Sequence, residues 1–164
     1  MSNVDQLLYL MDEAFEDGRS HSLLRNLHSV AEEDWEWTPP GGHRSIRQIV
    51  GHVGACKYMY ENHAFGDGTL TWADPLAKPP EHHAAGRTEP ILQWLREGHR
   101  RLRESVAKLS DDDLQEPRKT NWGEPAQTRW IIKVTIEHDL YHAGEINHLR
   151  ALRQDDDHWP DHSS

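Results

Sequence analysis

The strongest constraint on the fold of this chain is a long run of helical period in its last third, from Thr128 to about Arg153. Apolar side chains recur there at intervals that suit a helix, as at Ile131, Val134, Tyr141, Ile146 and Leu149. Side chains at this spacing share one face of a helix. Because an apolar face of this length must be covered by other elements, the segment predicts one helix of a helical bundle.

The first segment with the same period covers residues 4–30 and is interrupted at Gly18. It predicts either one long helix with a weak point near Gly18 or two helices in series. In the second case Ser20 or Ser22 would cap the second helix, since serine is a preferred N-cap residue.

Two more helices are predicted between these segments, and each has a start signal. Ser45 is a favourable N-cap for a helix that ends before Phe65, and Thr88 caps another whose first turn tolerates Pro90. The sequence shows no alternation typical of strands and no internal repeat. The prediction is therefore an all-α fold, a four-helix bundle whose long connections include crossover loops.

The length of 164 residues fits one domain, which we expect over residues 1–154, followed by a polar, acidic tail over residues 155–164. A net charge of −10 disfavours nucleic acid as a partner, because phosphate binding needs clustered Lys and Arg. No apolar run approaches the roughly 18 residues of a membrane span, and no secretory signal is visible. With Cys56 as its single cysteine the chain forms no intrachain disulfide, so a cytoplasmic protein is expected.

His138 and His142 lie four residues apart in the last predicted helix, so their side chains stack on one face. Two imidazoles so placed can share one metal ion, as in the H-x-x-x-H pair of metalloproteases. The spacing alone is weak support, because 13 histidines produce some such pairs by chance. His52, on the inward side of the helix after Ser45, is the candidate third ligand, although a single inward histidine is more often a hydrogen-bonded core residue. Three neutral imidazoles would leave a coordination position for water, as in catalytic zinc sites.

Three neighbouring side chains could contribute to such a site. Cys56, one helical turn after His52, is a fourth ligand, a thiolate near the metal or, as we favour, a small buried packing residue. Glu145 can orient an imidazole or take a proton. Asp139 points more than a quarter turn away and could cap a loop or hold a surface partner. For both carboxylates, support of a ligand or a surface salt bridge is favoured over catalysis. A protease arrangement that adds His148 is disfavoured, because the helix turns that residue to another face.

Several aromatic side chains allow two interpretations. Tyr58, Trp130 and Tyr141 could line a pocket, but aromatics at helical spacing are more often core. The tryptophans in or beside loops could wall a substrate cleft or anchor the long connections, and anchoring is favoured for most of them: Trp35, Trp37, Trp72 and Trp122.

Two stretches of the sequence carry a family resemblance. Residues 45–53 read SIRQIVGHV, and residues 138–146 read HDLYHAGEI. In this order and at this separation they resemble the DinB/YfiT-like superfamily, whose members are regarded as metalloenzymes. The resemblance extends from about Val4 to Arg153 and implies a four-helix bundle.

By that resemblance, His52, His138 and His142 would bind a divalent metal ion, zinc or nickel first, with iron or manganese as alternatives. Characterised members include thiol-dependent transferases and isomerases that use bacillithiol or mycothiol, and members often form homodimers. The expected function is a metal-dependent transferase or hydrolase of a small molecule, with a low-molecular-weight thiol as candidate cosubstrate and Lewis-acid activation as the mechanism. The alternative is a non-catalytic, metal-stabilised bundle that binds a ligand or partner. An open fourth coordination position would favour the enzyme.

Overall fold

The computed structural model describes residues 1–17, 21–80 and 88–156. These residues form an all-α bundle, which confirms the predicted fold class. Within the described ranges, none of the helices combines the length and apolarity that crossing a membrane requires. The helices are α1 (Asn3–Asp12, continued by a π-helical turn over Glu13–Asp17), α2 (Leu23–His28), α3 (Ile46–Phe65), α4 (Glu89–Val106) and α5 (Thr128–Gln154).

The first predicted segment forms helices in series rather than one continuous helix. A capping box closes the start of α1, in which the Ser2 hydroxyl accepts from the backbone of Asp5 and the Asp5 carboxylate accepts from the backbone of Ser2. Ser22 stands before α2, but its hydroxyl donates to the carbonyl of Glu16 at 3.2 Å and does not cap that helix. The predicted weak point at Gly18 and the alternative cap Ser20 lie outside the described residues.

Both start signals mark the residue before the helix, but only Ser45 caps its helix with a side-chain hydrogen bond. Ser45 and Gln48 form a reciprocal capping box at the start of α3, which ends at Phe65 as expected to within one residue. Thr88 precedes α4 but makes no side-chain cap, because its hydroxyl donates to the Glu32 carboxylate at 3.0 Å. A contact with a distant segment thus replaces the local capping bond.

Helix α3 packs against both α4 and α5. Its side chains Ile49, Val50 and Val53 are fully buried in the core. Helix α4 approaches so closely that a Cβ atom at position 54 would stand 2.2 Å from the Trp94 ring. Gly54 therefore permits the contact that holds α3 against α4.

A small antiparallel ladder, absent from the sequence prediction, closes the loop before α5. Strand β1 (Pro117–Arg118) pairs with strand β2 (Ala126–Gln127). The loop between them carries Trp122, and β2 leads directly into α5. Residues 157–164, most of the predicted tail, lie outside the described ranges, as do residues 81–87.

Candidate metal centre

The candidate ligands come together where α3 and α5 pass each other in opposite directions. His52, in the second turn of α3, faces His142 in the later part of α5, while Lys57 farther along α3 faces Asp139. His138 and His142 share one face of α5, as their spacing predicts. The structure thus brings together the three histidines that the sequence selected, His52, His138 and His142.

The three rings aim their nitrogens at one small region. The Nε2 atom of His138 lies 3.1 Å from Nε2 of His52 and 3.2 Å from Nε2 of His142. All three side chains offer a ligand nitrogen within 4.8 Å of the others. His142 is buried, His138 is partly exposed, and His52 is the most exposed of the three, so the cluster opens toward solvent beside His52.

Hydrogen bonding between the rings cannot satisfy all of these contacts. The Glu145 carboxylate lies 2.7 Å from Nδ1 of His142, which places a proton on that nitrogen, and in the neutral form of the ring Nε2 then carries a lone pair. His138 Nε2 makes two short contacts, one with His52 and one with His142. A proton on one of these nitrogens can form a full hydrogen bond in only one contact. In the other contact, two lone pairs face each other or the same proton is shared. A cation between the nitrogens removes this conflict.

The donor set and its spacing fit a divalent cation. Two imidazole nitrogens bound at about 2.0–2.1 Å to one tetrahedral zinc ion would stand roughly 3.3–3.4 Å apart, close to the separations of the Nε2 atoms. Burial, with neighbouring histidines as a smaller cause, lowers the pKa of His138 to about 3 and holds the pKa of His52 below its usual value. Both rings are therefore neutral near pH 7, the form that coordinates metal.

Glu145 and Cys56 lie next to the cluster in different ways. Glu145 bonds His142 directly, so it orients a candidate ligand as the sequence suggested. The Cys56 sulfur is buried and lies 3.8 Å from Nδ1 of His52. Burial raises the pKa of its thiol to about 11, so Cys56 is a neutral thiol near pH 7 and not the thiolate considered above.

The expectation of a loop cap or a surface partner for Asp139 was wrong, because the carboxylate lies in the interior. Its Oδ2 atom accepts from Lys57 Nζ at 2.6 Å, and both side chains are 3% exposed. Its Oδ1 atom has no hydrogen-bond partner within the described part of the chain. Burial raises the pKa of Asp139, although the Lys57 ammonium opposes this shift.

Sequence reasoning missed Lys57 and His99, which extend this buried polar group. Lys57 Nζ lies 3.4 Å from Nδ1 of His99, and the His99 ring stacks on Phe15 with centroids 3.8 Å apart. One signal was present in the sequence, namely a lysine enclosed by the apolar positions Cys56 and Tyr58 in the middle of a helix. A charge in such a place requires an internal partner.

The aromatic side chains divide between core and site. Tyr141 sets its ring edge-on to His142, with centroids 5.0 Å apart. Tyr58 instead stacks on Trp94 between α3 and α4, and Trp35 is buried in the core. His148 is exposed and stands outside the histidine cluster, in agreement with the rejection of a protease arrangement.

These features define a helical-bundle protein with three histidines converging between two antiparallel helices. The family model described as the DinB superfamily matches residues 14–146, a range that includes all three histidines. The chain belongs to the DinB superfamily, which confirms the resemblance drawn from its two sequence stretches. No curated protein matches the chain.

Proposed function

We propose that this DinB-superfamily protein binds one divalent cation through His52, His138 and His142 and acts on a small molecule as a transferase or hydrolase. Zinc or nickel is the first choice of ion, with iron or manganese as alternatives, because imidazole ligands suit several of these metals. The observation that carries the proposal is the convergence of three imidazole nitrogens, one of them on a ring oriented by Glu145.

The residues of the site would divide the work between holding the ion and admitting the substrate. The three imidazoles hold it, and the Glu145 carboxylate fixes the tautomer of His142. The exposed side of His52 leaves a route for a small molecule. A divalent cation bound there would supply Lewis-acid chemistry, lowering the pKa of a water molecule or thiol that binds to it.

Metal content tests the ligand assignment. After loading with zinc and gel filtration, the wild-type protein should carry about one ion per chain by elemental analysis, and His138→Ala should lose it. The matched control is His148→Ala, which removes an exposed histidine from the same helix. Equal zinc content in wild type and His138→Ala, with circular dichroism showing both folded, would refute the assignment.

Glu145 should matter for affinity although it is not a ligand. Removal of a carboxylate that orients a metal-bound imidazole costs about 10- to 100-fold in affinity. Glu145→Ala should therefore raise the zinc dissociation constant by that factor, measured by competition with a chromophoric chelator. Glu137→Ala is the control, since that exposed carboxylate on the same helix pairs with exposed Lys133. An unchanged dissociation constant for Glu145→Ala would show that the carboxylate does not support His142 as a ligand.

The remaining parts of the proposal concern the thiol, the location and the assembly. We propose a low-molecular-weight thiol as cosubstrate, a cytoplasmic location and a homodimer, on the strength of the family resemblance and the single cysteine. A screen of such thiols with electrophilic acceptors should give an activity that chelation abolishes, whereas silence across the screen favours a ligand-binding bundle. Sedimentation at twice the 19.0 kDa chain mass would support the dimer.

A further inference from the structure

Three aromatic rings form a continuous surface that leads away from the histidine cluster. Tyr60 contacts His138 edge-on with centroids 6.2 Å apart, and Trp122 contacts Tyr60 with centroids 5.7 Å apart. Trp130 continues the surface, 5.8 Å from Trp122 between ring centroids. We call Tyr60, Trp122 and Trp130 the aromatic wall.

The two indoles of the aromatic wall are exposed and yet held in place, while Tyr60 is partly buried against the core. Trp122 and Trp130 are each 45% exposed, although tryptophan usually contributes its rings to a core. The loop carrying Trp122 is closed by the ladder of β1 and β2, and the Thr120 hydroxyl donates to the carbonyl of Glu124 at 2.7 Å. Gly123 follows Trp122 with a φ of +108°, a conformation that favours glycine. A turn thus presents the indole at the surface.

We infer that the aromatic wall is the binding surface for the apolar half of the substrate, and that this half is an aromatic or similarly flat group. The inference rests on the proposed function, because the polar half would bind the ion held by the histidines. The main support is that the aromatic wall is continuous with the candidate metal centre. The ring of Tyr60 contacts both the candidate ligand His138 and the exposed indole of Trp122. Stacking of a flat ring on an aromatic side chain raises binding affinity by a few-fold to about tenfold.

The size of the wall favours a small molecule over a protein partner. Two half-exposed indoles offer on the order of 200 Å², whereas a stable protein interface covers about 800 Å² on each side. The residues around them on the chain are charged and exposed, namely Glu124, Arg129, Lys133 and Glu137. The wall is thus a small apolar surface within polar surroundings and next to the candidate metal centre.

Two hydroxamates test the inference, because they share a metal-binding head and differ in the attached group. We expect benzohydroxamate to bind the zinc-loaded protein roughly three- to tenfold more tightly than acetohydroxamate, as measured by isothermal titration calorimetry. In Trp122→Ala the ratio of the two affinities should fall to about one. Trp130→Leu provides a second variant, and Trp72→Ala is the control that removes an exposed tryptophan elsewhere.

The outcomes separate this inference from the proposed function. If both hydroxamates bind the wild type equally well, the wall does not bind the substrate and the metal proposal stands. If neither binds the zinc-loaded protein, the ion offers no open position to a ligand, and both this inference and the proposed enzymatic role fail, while the metal-ligand assignment is decided separately by zinc content. If Trp122→Ala turns a dimer into a monomer by sedimentation and leaves the affinity ratio unchanged, a second copy of the chain covers the wall and the inference is overturned.

Discussion

Replacing Lys57 by methionine should lower the free energy of unfolding by about 3–5 kcal/mol, because breaking one side of a buried ion pair leaves the other charge without compensation. Within the described residues, the Asp139 carboxylate has the Lys57 ammonium as its partner, at 2.6 Å, and both side chains are almost wholly buried. The variant would remove the hydrogen bond to Oδ2, and Oδ1 already has no partner in the described residues. Urea denaturation of the metal-free protein, followed by circular dichroism at 222 nm, measures the loss.

The double variant Lys57→Met/Asp139→Leu separates the cost of an unpaired charge from the cost of lost packing. Replacing both members of a buried pair with apolar residues of similar volume is often neutral, so the double variant should regain most of the stability lost in Lys57→Met. Lys133→Met is the control, since it breaks the exposed pair with Glu137 and should cost no more than about 1 kcal/mol. A double variant as unstable as the single one would contradict this account.

The parts of the fold that depend on local spacing could be predicted from the sequence. The apolar period placed α5 from Thr128 to about Arg153, and the helix covers Thr128–Gln154. The spacing of His138 and His142 set their common face in the same way. Including His52 required the family resemblance, because the register in which α3 passes α5 depends on packing between distant segments.

The predictions that failed concerned partners distant in the chain. The helical period gives the direction in which Asp139 points from the axis of α5. It does not show that Lys57 of α3 lies in that direction. Thr88 is a residue type that often caps helices, but its hydroxyl donates to Glu32 and makes no capping bond to α4. The ladder of β1 and β2 has two residues in each strand, too few to show any period in the sequence.

The metal-free protein should lose stability as the pH falls below about 6.5. Burial lowers the pKa of His99 to about 2 and that of His138 to about 3, from an ordinary value of 6.5. Below pH 6.5 these two histidines bind protons in the unfolded chain but stay neutral in the folded protein. Protonation therefore favours the unfolded state. The stabilisation from the neutral rings is complete above pH 6.5 and is lost as the pH falls toward the folded values. Each ring should contribute a slope of about 1.4 kcal/mol per pH unit over most of that range.

His99→Phe isolates one of these contributions and leaves the candidate metal ligands in place. Phenylalanine can keep the stack on Phe15, and Lys57 keeps its bond to Asp139. The slope of unfolding free energy against pH should therefore decrease by about 1.4 kcal/mol per pH unit between pH 4 and 6, measured by urea denaturation at each pH. His148→Phe, at an exposed position on α5, should leave the slope unchanged. Equal slopes in His99→Phe and wild type would show that His99 takes up its proton without unfolding, and that the space around Phe15 and Lys57 admits a charged imidazole.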